Sequence, residues 1–223
     1  MAHDGYSKKG NYNGYNKNNE ERQKDDFYAT PPCEALNILQ QLKINLDGCN
    51  ILDTCMGQGH LLLGVQEYLK RSNQKAQLFG TDLVERELVN GVQGNFKFGE
   101  EYDVFAKDYL TKLRELNKHY DYIIINLPFK YMETFVENAL AIAQKGVIIF
   151  GRIQFLEGVQ RFKNLHQIMP PNDIYGYIER VSCFKDGQQQ KVGGVQMHAW
   201  FYYDMNEDYP TTYHFLHKYR KEE

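Results

Sequence analysis

The sequence predicts an α/β fold: a Rossmann-like, doubly wound sheet of seven strands, mostly parallel, closed by a C-terminal antiparallel hairpin. Three observations predict it. Five short apolar runs alternate with helix-length amphipathic stretches, the pattern of strand–helix–strand units. The run from Asp121 to Ile125 (DYIII) is apolar after its first residue, as a strand covered on both faces requires. The stretch Asn50–Gly64 (NILDTCMGQGHLLLG) passes from an apolar run through a Gly-containing turn into a helical segment, the opening unit of a nucleoside-binding α/β domain.

In chain order, Met1–Lys24 is rich in Gly, Asn, Lys and Tyr and nearly free of aliphatic residues. It cannot bury enough surface to offset its ordering entropy and reads as a disordered tail. The domain is expected over residues 25–206, with a short tail over 207–223. Thr30 reads as an N-cap, with Pro31 opening a helix that runs to about Leu42. Strand one is Asn50–Asp53, followed by a helix over Gly59–Arg71. Gln77–Asp82 (QLFGTD) is the second strand, and Tyr102–Ala106 a weak third. Thr111–Asn117 is a short helix, and Asp121–Ile125 the fourth strand. Met132–Gln144 is helical, Gly146–Phe150 the fifth strand, and Val159–His166 a helix stopped by Pro170–Pro171. Ile174–Val181 and Val195–Tyr203 follow each other without a helix between them and should pair antiparallel.

The bulk numbers exclude several function classes. The chain has 223 residues and a formal net charge of −3, so no global basic field announces nucleic acid. Cys33, Cys49, Cys55 and Cys183 are scattered without a CxxC pair; they read as reduced thiols of a cytoplasmic protein, with no metal site expected. No apolar run approaches a membrane span. His60 and His198 lack ligand-spaced partners and read as structural or lining residues.

Ligands of an open parallel sheet sit beyond the carboxyl ends of its strands. Four such ends carry polar chemistry: Asp53 with the turn containing Cys55, Gly57 and Gly59; Asp82, 29 positions after Asp53 and followed by Leu83; Asp108; and the loop Asn126–Phe129. The glycines allow a sharp bend and close backbone approach to a ligand. A carboxylate at Asp82 is placed to meet ribose hydroxyls, or else to cap a helix over Glu85–Asn90. Three acids suit a nucleoside better than a pyrophosphate. Leu62 stands where a dinucleotide fingerprint has its third Gly, which argues against a nicotinamide dehydrogenase.

This ordered set resembles the class I S-adenosylmethionine-dependent methyltransferases, which carry D-x-x-x-G-x-G after strand one, an acid ending strand two and an acid before strand four. Asp53-Thr-Cys-Met-Gly57-Gln-Gly59, Asp82 and Asp108 match. Asn126-Leu127-Pro128-Phe129 is similar to the [D/N/S]-P-P-[Y/F/W] loop of enzymes that methylate amino groups of adenine, cytosine or glutamine. Phe27-Tyr28-Ala-Thr30-Pro31 resembles the segment with which adenine-N6 DNA methyltransferases contact the methionine part of the cofactor. The stretch Arg152–Gly158, Pro170–Pro171, Arg180 and Ala199–Trp200 looks like small phage-type adenine methylases. The resemblance spans about Asp26 to Asp204. It implies S-adenosyl-L-methionine as cofactor and duplex DNA with a flipped adenine as partner, Phe129 stacking on the base.

In such a loop, the Asn side-chain oxygen and the next backbone carbonyl accept the two amine hydrogens and aim the nitrogen lone pair at the methyl group. Leu127 departs from the family pattern. It keeps the carbonyl and loses the φ restraint of a proline, while Pro128 still biases it to extended conformations. The loop alone does not separate DNA adenine from RNA adenine or protein glutamine, and Leu127 leaves open an inactive, methyltransferase-like binding protein. No cysteine is placed as the nucleophile of C5-cytosine chemistry. Lys130, Arg152, Arg161, Lys163, Arg180, Lys185 and Lys191 are the candidate DNA contacts.

Overall fold

The computed structural model describes residues 28–126, 132–185, 196–207 and 209–220. The expected disordered tail lies outside them, as do Phe27, Leu127, Pro128, Phe129, Lys130 and Lys191. In chain order the elements are β1 (Tyr28–Ala29), α1 (Pro32–Leu42), β2 (Asn50–Asp53), α2 (His60–Arg71), β3 (Gln77–Asp82), β4 (Asn95–Phe98) and α3 (Tyr109–Leu116). There follow β5 (Tyr120–Asn126), α4 (Met132–Ile142), β6 (Ala143–Arg152), α5 (Val159–Arg161, running on into a wider helical turn over Phe162–His166) and β7 (Asp173–Tyr177). The chain ends through β8 (Phe184–Lys185), β9 (His198–Asp204) and β10 (Thr212–Leu216).

Eight strands form one sheet in the order β10-β7-β9-β6-β5-β2-β3-β4, while β1 and β8 form a separate antiparallel ribbon. Within the sheet only β9 runs against its neighbours. Strand order proceeds outward in both directions from the seam between β2 and β5, the topological switch point beyond whose carboxyl ends ligands of open α/β sheets bind.

The apolar runs that predicted buried strands send alternate side chains to opposite faces. Ile51, Tyr122, Ile124, Ile148, Phe150, Trp200 and Tyr202 pack with α1 and α2. Leu52, Ile123, Ile125, Val147, Ile149 and Phe201 pack with α3 and α4. Burying one such side chain fully is worth about 1.5–3 kcal/mol, so the two-sided run of β5 anchors the sheet. On the first face, α1 and α2 touch at Gly64, where a Cβ would stand 2.2 Å from the Pro32 carbonyl oxygen.

Four expectations are corrected. The sheet has eight strands instead of seven, because Thr212–Leu216, expected in a tail, pairs parallel with β7. The third strand is Asn95–Phe98 rather than Tyr102–Ala106: Phe96 and Phe98 pack against the α1–α2 core, while the chain at Glu100–Tyr102 curls into a helical turn. The cap of α1 is Pro31, with Pro32 opening the helix and no side-chain bond. Thr30 and Pro31 each precede a proline, which keeps both out of the helical region. No helix forms over Glu85–Asn90.

Candidate functional site

The Gly turn is built from its own backbone. Asp53 Oδ1 accepts the Cys55 N–H at 3.1 Å, a turn closed by the acid's side chain. The Met56 N–H reaches the Thr81 carbonyl at 3.1 Å, and the Gly59 N–H the Met56 carbonyl at 2.7 Å. Gly57 and Gly59 both have positive φ, 54° and 85°, which side chains rarely tolerate. Gly59 is the N-cap of α2 and offers no side-chain bond to the helix.

Asp82, at the end of the neighbouring β3, ties this turn down. Its Oδ2 accepts the Gly57 N–H at 2.8 Å, and its Oδ1 accepts Val84 N–H at 3.0 Å and Arg86 Nη1 at 2.9 Å. The arrangement thus gives Asp82 a structural task in place of the helix cap weighed from the sequence. Leu83 follows it and is 40% exposed. Sequence reasoning missed two residues here. Arg86 clamps Asp82, and Gly80 makes room for Met56, whose sulfur a Cβ at Gly80 would meet at 2.4 Å.

Asp53 is 1% exposed. Burial pushes its carboxyl up to about 8, against the lowering bond from Cys55 and with a smaller push from Asp82. Burial, then Asp82 and Asp53, hold the Cys55 thiol well above its ordinary range. Asp108 is exposed at the N-terminus of α3, where its side chain caps nothing. The fields of Asp53 and, more weakly, of Asp103 reach both Cys55 and Tyr109; the sequence left Asp103 unmarked.

Across the β2–β5 seam stands Asn126, the last residue of β5. Its Nδ2 donates to the Tyr28 carbonyl at 2.5 Å. The donor end of the amide is thereby held, and Oδ1 is the end turned away as an acceptor. In the ribbon, Ala29 pairs with Phe184, whose ring meets the His60 ring edge-on at 5.7 Å. The ribbon therefore joins the first turn of α2 to the end of β5. The expected site residues Tyr28, Thr30, Asp53, Gly59, Asp82 and Asn126 are brought to one edge of the sheet, and Pro31 begins the helix beside them.

Beyond Asn126 the edge changes character. Asn126 pairs with Phe150, and Arg152 with His198. The His198 ring stacks on Phe150 at 5.0 Å and 11°. Burial, then the Arg152 charge, brings its pKa down to about 4, so it is a neutral ring at pH 7. Cys183 lies nearby, pushed up to about 12 by burial despite the field of Arg152. Of the expected DNA contacts, Lys163 and Arg180 are exposed. Arg161 is committed elsewhere: its Nη1 donates to the carbonyls of Gln154, Phe155 and Glu157 and braces the turn after β6.

No protein-family model matches the chain, and no curated protein matches its sequence. Solved structures do match. One, from Listeria monocytogenes, is assigned as a class I S-adenosylmethionine-dependent methyltransferase; it superposes with a TM-score of 0.57 at 13% identity over 85% of this chain. The match spans 65% of that protein, slightly less than two thirds. An Agrobacterium tumefaciens protein assigned as an O-methyltransferase gives 0.55 at 12% identity, over 83% of this chain and 85% of its own. A Pyrococcus horikoshii protein assigned as an RNA methyltransferase gives 0.52 at 16%, over 78% and 83%. The chain has their fold. At these identities the likeness concerns the fold alone, since one fold serves many acceptors.

No helix among the described residues is long and apolar enough to cross a membrane. Among the same residues no three His, Cys, Asp or Glu side chains converge as metal ligands.

Proposed function

We propose that the chain is an S-adenosylmethionine-dependent methyltransferase acting on the N6 amine of adenine in DNA. The observation that carries the reading is the juxtaposition, across the topological switch point, of the Gly57–Gly59 turn and an Asn whose amide nitrogen is engaged by Tyr28.

The residues fit the cofactor. Gly57 and Gly59 leave the turn open to close approach. Asp53 and Asp82, at the ends of the two strands beside the turn, supply acceptors for ribose and base, with Leu83 as an apolar wall. Thr30 Oγ1 is buried without a hydrogen-bond partner among the described residues, beside the expected methionine end of the cofactor. Bound there, S-adenosylmethionine supplies an electrophilic methyl group on its sulfonium. Asn126 Oδ1 accepts one hydrogen of the acceptor amine, and the carbonyl of Leu127 accepts the other. Together they orient the nitrogen lone pair and stabilise the positive charge that develops on it. Phe129 stacks on the base, and Asp108 lies open to solvent at the start of α3. Arg152, Lys163 and Arg180 offer positive charge to phosphates on the acceptor side.

RNA adenine is the second reading, favoured by the fold shared with the Pyrococcus protein; protein glutamine is the third. Labelled methyl transfer to a panel of DNA, RNA and protein acceptors separates them. Sequencing of DNA from cells expressing the chain should reveal N6-methyladenine in a defined context. Cofactor binding without any labelled acceptor, reversed by Leu127→Pro, would instead mark a methyltransferase-like binding protein.

A further inference from the structure

His60, which the sequence marked only as structural or lining, opens α2 and is 7% exposed. Its Nδ1 is buried with no hydrogen-bond partner among the described residues, and so is Oγ1 of Thr30, 1% exposed just before α1. A buried polar atom left unmatched is costly, and these two stand at the starts of neighbouring helices.

Their neighbourhood says which kind. α1 and α2 both descend from the strand-end edge, side by side, touching where Gly64 meets the Pro32 carbonyl. His60 lies one turn before Gly64 on the same face of α2. Its ring touches Phe184, the partner of Ala29. The ring contact ties His60 to the ribbon that carries Ala29, next to Thr30 in the chain, and the Gly64 contact sets the start of α2 against the start of α1. Neither helix is capped by a side chain. Two uncapped N-termini point partial positive charge at one spot, and two potential donors stand there. The buried acid of α1's first turn, Glu34, faces away: its Oε2 accepts from Tyr177 Oη at 2.9 Å and Tyr219 N–H at 3.3 Å.

We propose that His60 donates from Nδ1, alongside the Thr30 hydroxyl, to the carboxylate of the amino-acid tail of S-adenosylmethionine. The inference rests on the methyltransferase reading and assigns the amino-acid end of that ligand to these two side chains. Burial lowers the His60 pKa, so at pH 7 the ring is neutral and one nitrogen carries a hydrogen.

The test is calorimetric titration of wild type, His60→Leu and His60→Gln with S-adenosylmethionine and with methylthioadenosine, which keeps the nucleoside and thioether and lacks the carboxylate. His60→Leu should weaken S-adenosylmethionine about 10- to 100-fold, the range of one charge-assisted hydrogen bond, and methylthioadenosine less than about twofold. His60→Gln, which keeps a donor, should recover part of the loss. Equal losses for both ligands, or none, overturn the inference and leave the methyltransferase reading standing. If His60→Leu fails to fold by circular dichroism, His60→Asn, whose shorter side chain cannot reach the carboxylate, decides: a ratio of the two affinities moved toward methylthioadenosine supports the inference, and a ratio equal to wild type overturns it. Wild type that binds neither ligand sinks the methyltransferase reading as well.

Discussion

The two halves of the strand-end edge are made differently. From β2 to β4 the edge is acidic and held by short-range bonds: Asp53 to Cys55 two residues away, Asp82 to Gly57 twenty-five away. From β5 to β9 it is aromatic, amide and basic, and its parts come from far apart. Asn126 is held by Tyr28 across 98 positions, and Arg152 faces His198 across two antiparallel strands. Under the proposed function the first half would cradle the cofactor's nucleoside, and the second half would receive an amine on a polyanion. A protein that must hold one small molecule in a fixed pose and admit a large, variable one has reason to build them so.

The largest expected effect breaks the second half alone. Asn126→Ala removes the acceptor oxygen and frees the Tyr28 carbonyl, while Gly57, Gly59 and Asp82 are untouched. Methyl transfer should fall about 10²- to 10³-fold, with cofactor affinity within about twofold of wild type. Single-turnover transfer and equilibrium binding, measured on the same preparations, check this. Unchanged transfer would remove Asn126 from the chemistry.

The next effect sharpens the first half. The folded pKa of Asp53 lies near 8, far above its unfolded value. A raised carboxyl pKa means the fold binds a proton more tightly than the unfolded chain does. Its favourable contribution is therefore complete below about pH 4 and is lost as pH rises through about 8. Asp53→Asn keeps the bond from Cys55 and cannot ionise. Its stability relative to wild type should rise across that window by a few kcal/mol, read from urea unfolding at pH 5 and pH 9. A constant difference would show that solvent reaches Asp53 more freely than its burial implies.

The strut beneath both halves comes third. Trp200 Nε1 donates to Tyr177 Oη at 2.7 Å, and Tyr177 Oη donates to Glu34 at 2.9 Å. Burial is the largest cause of the raised Glu34 pKa. Tyr177→Phe leaves Trp200 and Glu34 each short of a buried partner. A cost of about 1–3 kcal/mol is expected, with the melting temperature lowered and cofactor affinity little changed. Loss of affinity in step with stability would show that this strut also sets the position of α1 at the site.

Legibility followed the same division. The cradle could be read because its determinants are local: apolar run, acid, glycines and a second acid within one strand–helix–strand unit. The placement of β4 was missed because glycines interrupt the chain on both sides of it, Gly91 and Gly94 before and Gly99 after, and because its two Phe residues alternate over only four positions. β10 was missed for a related reason. Polar Thr212 and His214 interrupt its aromatic residues, and Phe215 is 79% exposed, so Thr212–Leu216 lacks the apolar run that signals a central strand. The ribbon of β1 and β8 was invisible because each strand has two residues, and only tertiary pairing at a separation of more than 150 residues defines it. Asn126 was marked by a resemblance in its loop, but the bond that orients its amide belongs to the ribbon.

The smallest effect is expected at the opposite edge, where the sheet carries none of this chemistry. Asp121 is the second residue of β5 there, accepts the Asn50 N–H at 2.8 Å and pairs with Lys145 Nζ at 3.0 Å. Burial works to raise its pKa, but the Asn50 and Lys145 bonds outweigh that and leave it lowered. A lowered carboxyl pKa contributes stability above the ordinary carboxylate range and loses it as pH falls through the folded value. Lys145→Met removes one partner of a half-exposed pair, so at pH 7 it should cost about 0.5–1 kcal/mol, shrinking in acid and in high salt. Transfer and cofactor affinity should match wild type, because the pair sits at the far end of β5 and β6 from Asn126 and Arg152. If Lys145→Met lowers transfer without lowering stability, the two ends of β5 are coupled along the strand, and the division between a structural edge and a chemical edge fails.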